Sequence, residues 1–159
     1  MPTRPPRKLG AFALIEIIDE TKKYPVSESL KQAVGLFLEE LEMGKQDLTV
    51  VFCDDKMMQQ KNLKFRGIDK PTDVLSFPLC EPEDTSMPYV HHLGDIIIDV
   101  EMAQRQAAKH GNTLDEEILV LTSHGILHLL GYDHPSSAEW KDFHQAEERI
   151  LAIAKKALE

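Results

Sequence analysis

Three histidines fall within eleven residues, in the segment His124-Gly125-Ile126-Leu127-His128-Leu129-Leu130-Gly131-Tyr132-Asp133-His134. On a helix, residues four apart sit on one face with Cβ atoms roughly 5 to 6 Å apart, so His124 and His128 can aim ring nitrogens at one ion. At about 100° per residue, a continued helix would carry His134 about 120° away from His128. The helix must therefore end between them. Gly131 tolerates the left-handed backbone that ends helices, and Pro135 blocks resumption just after His134. Three neutral imidazoles suit one zinc ion at about 2.0 to 2.1 Å, and three protein ligands leave a fourth position, which marks a catalytic site rather than a structural one.

Ordinary histidines at accidental spacing are the bland alternative. The segment from Leu114 to Leu130 is apolar nearly all round, which predicts a buried helix, and two unpartnered imidazoles there would be costly. The pattern H-x-x-x-H-x-x-G-x-x-H is also that of metzincin proteases, which place a general-base Glu directly after the first His. Gly125 stands there and cannot accept a proton, so a protease is a minority reading.

Other residues carry weaker signals. Lys56, Lys61, Lys64, Arg66 and Lys70 form a positive island opposed only by Asp69. A solvated helix face is the common meaning, but Arg66 and Gly67 follow an expected helix and precede Asp69-Lys70-Pro71, so Arg66 is expected on a loop, suited to bidentate phosphate contact. Asp133 could orient an imidazole or act in proton transfer; Asp after a helix stop is also a common turn residue. Asp95 reads as a strand-start polar residue or a site acid, His91 and His92 as loop residues, and His110 and His144 as surface histidines.

These residues need a scaffold. Alternation over Phe12–Ile18 predicts a strand, and Leu30, Val34, Phe37, Leu38 and Leu41 predict a helix over Ser27–Met43, stopped by Gly44. Leu48–Cys53 reads as a strand, followed by a helix from the Asp54 cap to about Leu63. Val74–Phe77 is expected as a strand closed by Pro78, Glu81–Pro88 as a loop, Gly94–Asp99 as a strand and Glu101–His110 as a helix. Thr113 with Glu116 forms a capping box for the histidine helix. Ser136 with Glu139 opens a last helix toward Leu158, with Trp140, Phe143, Ile150 and Ile153 expected inward. Strands early and helices late define an α+β class.

Composition bounds the rest. At 159 residues and 42% apolar content there is material for one core, hence one domain over 1–159, with residues 1–8 as a loose basic arm. No run reaches the roughly 20 apolar residues of a membrane helix, and nothing resembles a secretory signal, so a soluble, cytoplasmic protein is expected. Cys53 and Cys80 lack a close Cys partner, which suggests reduced thiols without a disulfide. A formal charge of −9 disfavours nonspecific polyanion binding and confines any nucleic-acid contact to a local patch.

The segment His124–His134 fits the HGxLHLxGYDH signature of the YbeY family of bacterial metalloproteins. A second block, Arg66–Pro78, resembles another signature of that family, and Leu93-Gly94-Asp95-Ile96 resembles a third; together they cover the chain from about Leu48. The resemblance implies a mixed four-stranded sheet with about five helices around it and a metal site at a helix C-terminal end. It implies His124, His128 and His134 as ligands of one zinc ion, Arg66 as an arginine needed for activity, and Ser76 in the cleft lining. It further implies a single-strand-specific endoribonuclease of ribosomal RNA maturation, notably at the 16S rRNA 3′ end, and of ribosome quality control, with the ribosome or a ribosomal protein as partner. A different class remains open at this point. An acidic assembly factor could dock a basic ribosomal protein and use zinc only to hold its fold.

Overall fold

The computed structural model describes residues 14–41, 43, 46–78, 92–131 and 137–158. Its elements are β1 (Ile15–Asp19), α1 (Glu28–Glu40), β2 (Asp47–Cys53), α2 (Asp55–Arg66), β3 (Val74–Pro78), β4 (His92–Asp99), α3 (Val100–His110), α4 (Leu114–Leu129) and α5 (Ser137–Leu158). Short polar side chains start the helices, at Asp54 and Thr113 as the sequence leads one to expect and at Ser27 where it predicts the first helical residue. Ser27 accepts from the Leu30 N–H and Asp54 from Met57, and Thr113 and Glu116 form the reciprocal capping box of α4.

The strands form one mixed sheet in the order β1-β2-β4-β3. β1 and β4 both run parallel to β2, while β3 lies antiparallel to β4 on the edge. An edge position is what lets Pro78 pair opposite Gly94 without losing a ladder bond in the sheet interior. Because side chains alternate along a strand, the two faces separate cleanly. Leu48, Val50 and Phe52 of β2 join Ile96 and Ile98 of β4 in the main core with residues of α1, α4 and α5. Cys53, Leu75 and Ile97 face the other way with Met58 of α2. Burial, followed by the nearby Asp99 charge, pushes the Cys53 thiol up to about 12, so it stays protonated.

The fold class is the expected α+β, although the first strands and helices alternate rather than cluster. Three local expectations change. α2 runs on to Arg66 rather than stopping near Leu63, because Gly67 at φ 72 supplies the left-handed cap. His92 begins β4 instead of lying in a loop. Ile153, expected inward, is 39% exposed, and Ala154 is the buried residue of that turn. Phe12, Gly44, Ser136, Cys80, His91 and the loop from Glu81 lie outside the described residues, as do the side chains of Trp140, Phe143 and Ile150. No helix among the described residues is long and apolar enough to cross a membrane.

Candidate active site

α4 is buried on most of its circumference, packing against β3, β4, α1, α3 and α5. One stripe opens to a cleft. Glu117, Leu121, His124 and His128 recur at intervals of four, three and four, so they share one helix face, and all four line a cavity of about 630 Å³. The His124 and His128 rings meet edge-on, their centroids 4.9 Å apart. His124 Nδ1 lies 3.4 Å from Oε2 of Glu147 on α5, which leaves Nε2 as that ring's atom for an ion. A carboxylate behind an imidazole fixes its orientation and raises its basicity as a ligand. After Leu129 the helix stops where the sequence predicts: Gly131 has φ 91, and its N–H reaches the His128 carbonyl at 3.0 Å. His134 and Asp133 lie outside the described residues. The two imidazoles that are described fit a borderline cation such as zinc in donor type, shared face and carboxylate support.

Gly125 acquires a structural reason. A Cβ built on it would fall 2.9 to 3.1 Å from three side-chain atoms of Ile96, so α4 lies directly on β4 at this point. The Ser76 hydroxyl approaches the Gly125 carbonyl at 3.4 Å from the neighbouring strand. A Glu at 125 would have to displace a fully buried isoleucine, and the protease reading loses its base for a packing reason as well as a chemical one.

The facing wall comes from Thr72 to Ser76, with Arg66, Gln106 and His110 around it. Arg66 is the last residue of α2, not a loop residue, and lies in a turn where positive charge suits the helix dipole. The chain beyond it is tied back: Asn62, 1% exposed, donates to the Lys70 carbonyl at 2.7 Å, and Gln59 donates to Asp69 at 3.0 Å. The guanidinium therefore starts from a fixed point. Across the cleft, His110 Nδ1 lies 2.9 Å from Oε1 of the buried Glu117, which Asn112 also reaches at 3.1 Å.

Sequence reasoning missed Glu147 and Glu117; His110 is the exposed helix-end histidine expected, and it also borders the cleft. Glu117 was accessible to it, being seven residues before His124 on the same helix face. Glu147 was not, since its pairing depends on how α5 packs on α4. Asp95 pairs with His92 at 3.1 Å, and neither lines the cleft. Elsewhere, Asp55, Asp99 and Glu101 bring carboxylate oxygens within 4.8 Å of one another. Helix starts account for most of this group. Asp99 caps α3 by accepting from Glu101 and Met102, Glu101 accepts from the Asp55 N–H, and Arg105 holds both oxygens of Asp55 at 2.9 Å. Burial, then the facing Asp55 carboxylate, pushes Asp99 up to about 8.

Two imidazoles on one helix face and a guanidinium line the same cleft, a set of groups whose chemistry fits hydrolysis of an anionic substrate. The profile of the family described as Endoribonuclease YbeY matches residues 15–155, and the chain belongs to that family. Among its relatives, an endoribonuclease YbeY of Thermus thermophilus is 44% identical over 124 residues, covering 78% of this chain and 88% of its own. That of Thermoanaerobacter sp. X514 is 37% identical over 144 residues, covering 84% and 91%. The solution structure of TM1509 from Thermotoga maritima superposes with a TM-score of 0.59 at 29% identity, covering 90% of this chain and 93% of the other.

Proposed function

We propose that this chain is a zinc-dependent endoribonuclease, one domain over residues 1–159, that cleaves single-stranded RNA in cytoplasmic ribosomal RNA maturation, including the 16S rRNA 3′ end, and in ribosome quality control. The observation that carries this reading is the placing of His124, His128 and Arg66 around one cleft. By the family signature it carries, His134 would be the third ligand of a single zinc ion. Bound there, zinc supplies Lewis acidity toward a phosphoryl oxygen and toward water. Arg66 then binds and orients the phosphate, its fork matching two non-bridging oxygens and stabilising charge that grows in the transition state. Glu147 keeps His124 in its ligand orientation. His110, held at Nδ1 by Glu117, is the cleft group placed to carry a proton at Nε2, and Asp133 is a second candidate beside His134.

The family membership and the local positive island support RNA as substrate in an otherwise acidic chain. The acidic remainder suits a basic ribosomal protein that delivers the RNA. Purified protein is incubated with single-stranded and structured ribosomal RNA as isolated, after metal stripping and after zinc return, alongside Arg66→Ala and His128→Ala. Cleavage should require both metal and Arg66 and should vanish in His128→Ala. Equal cleavage in every variant would expose a contaminating ribonuclease. Absence throughout would move the reading to an assembly factor that works without cutting. End-group analysis separates attack by water, which leaves no cyclic phosphate, from attack by the ribose 2′-hydroxyl, which does.

A further inference from the structure

Beside Arg66, the α2 helix presents an apolar surface that the cleft does not use. Phe65 is 54% exposed and Leu63 49% exposed. Single exposed apolar residues are ordinary on any protein and need no explanation. Phe65 differs in being held. The edge contact with Phe77 of β3 sets the rings 61° apart with centroids separated by 5.0 Å, and Lys64 Nζ sits 5.3 Å from the Phe65 centroid. A large apolar ring is thus kept at the surface in a defined attitude, flanked by a lysine and an arginine.

Its position relative to the cleft gives this ring a use. β3 is the sheet edge, and along it Ser76 lines the cleft while Phe77 packs with the α2 side of the sheet. Phe65 and Arg66 are neighbours in sequence, so their Cα atoms are about 3.8 Å apart, less than the length of an extended nucleotide. Arg66 lines the cleft and Phe65 touches Phe77 on the edge strand, so a nucleic-acid strand that leaves Arg66 over that edge meets the Phe65 ring. Lys64 lies against the ring, and Lys61 and Lys70 belong to the same positive stretch of a chain whose net charge is −9, which favours a polyanion on this segment over the rest of the surface. Aromatic faces interleaved with Lys and Arg are how proteins hold single-stranded nucleic acid, because every base offers a π-face.

Resting on the endoribonuclease reading, we propose that Phe65 is a stacking platform for an unpaired nucleobase directly adjacent to the phosphate held by Arg66. The preference for single strands then has a physical origin at one side chain. A base in a duplex is already stacked and paired, and it must give up both to reach the ring, whereas an unpaired base gives up little.

The test separates binding from cutting. Protein as isolated is titrated on ice with a short single-stranded RNA, with the same RNA carrying one abasic nucleotide at successive positions, and with a blunt duplex, the RNA being checked as intact after each titration. The proteins are wild type, Phe65→Leu, which keeps apolar contact with Phe77, and Phe65→Trp, which keeps the π-face. Stacking predicts a loss of roughly 5- to 150-fold in single-strand affinity for Phe65→Leu, the equivalent of about 1–3 kcal/mol per stacked base. Phe65→Trp should bind like wild type. One abasic position should weaken wild type by the same factor and leave Phe65→Leu unchanged, the signature of a lost pair rather than a lost fold. Wild-type affinity in Phe65→Leu, or equal abasic losses in both proteins, overturns the proposal while leaving the nuclease reading intact. Failure of wild type to bind or cleave any single-stranded RNA overturns both.

Discussion

Replacing Gly125 by alanine sets two known effects against each other, and the structure says which wins. In an exposed helix interior the change would stabilise by about 1 kcal/mol, since alanine is the better helix former. Here the new methyl would lie 2.9 Å from Ile96 Cδ1, 3.0 Å from Cγ2 and 3.1 Å from Cγ1. Ile96 is fully buried and sits within β4 between β2 and β3, so its backbone has nowhere to retreat. Overpacking of this kind costs about 1–3 kcal/mol, which leaves Gly125→Ala destabilised by about 1 kcal/mol. For a chain of this size that is a fall of about 2–4 °C in melting temperature. Urea denaturation of Gly125→Ala, Ile96→Val and the double variant checks the cause. Ile96→Val alone should cost about 0.5–1.5 kcal/mol by removing Cδ1. In the double variant the closest of the three contacts, to Cδ1, is gone while those to the two Cγ atoms remain, so the combined loss should fall short of the sum by about 0.5 kcal/mol. A stabilised Gly125→Ala, or strict additivity in the cycle, would refute the claim that close contact between α4 and β4 selects glycine.

Four further outcomes are expected. Arg66→Ala should lower the cleavage rate by about 10²–10³-fold, by analogy with loss of one transition-state donor, and Arg66→Lys should restore little of it because lysine lacks the planar fork; single-turnover kinetics decide this. Cys53 should resist alkylation at pH 8 in the native state and react on unfolding, as peptide mass mapping of the modified thiol would report. Asp99 holds a proton in the folded chain up to about pH 8 that it loses above its ordinary value of 3.8 when unfolded, so stability should fall as pH rises through that window. Asp99→Asn, which keeps an acceptor for the cap and adds a donor toward Asp55, should flatten that fall in urea titrations at several pH values. Thr113→Ala should cost about 1 kcal/mol through loss of the capping box, measured the same way.

Local signals carried the sequence reading a long way and then stopped for definable reasons. Caps at Asp54 and Thr113, the Gly131 stop and the shared face of His124 and His128 are encoded within a few residues, and each forms as read. Arg66 was misplaced by one structural state because a left-handed glycine extends a helix to its own doorstep, and Gly67 marks that end more reliably than the loss of apolar period at Leu63. Ile153 was assigned inward by periodicity, which cannot say which neighbouring residue of a turn meets a helix from another part of the chain. Glu147 behind His124 and Phe77 beside Phe65 join residues 23 and 12 positions apart. Such pairings follow from packing of whole elements and leave no mark in the local sequence.

The contact between Glu147 and His124 has a consequence for the order in which the site is made. During synthesis the histidines of α4 emerge before the carboxylate that steadies one of them, and α1 waits for α5 as its packing partner. A partly made chain thus holds imidazoles without their brace and a core without its cover. Loss of α5 alone would therefore take away the carboxylate behind His124 and the packing partner of α1 together, so the cleft and the core share one C-terminal dependence.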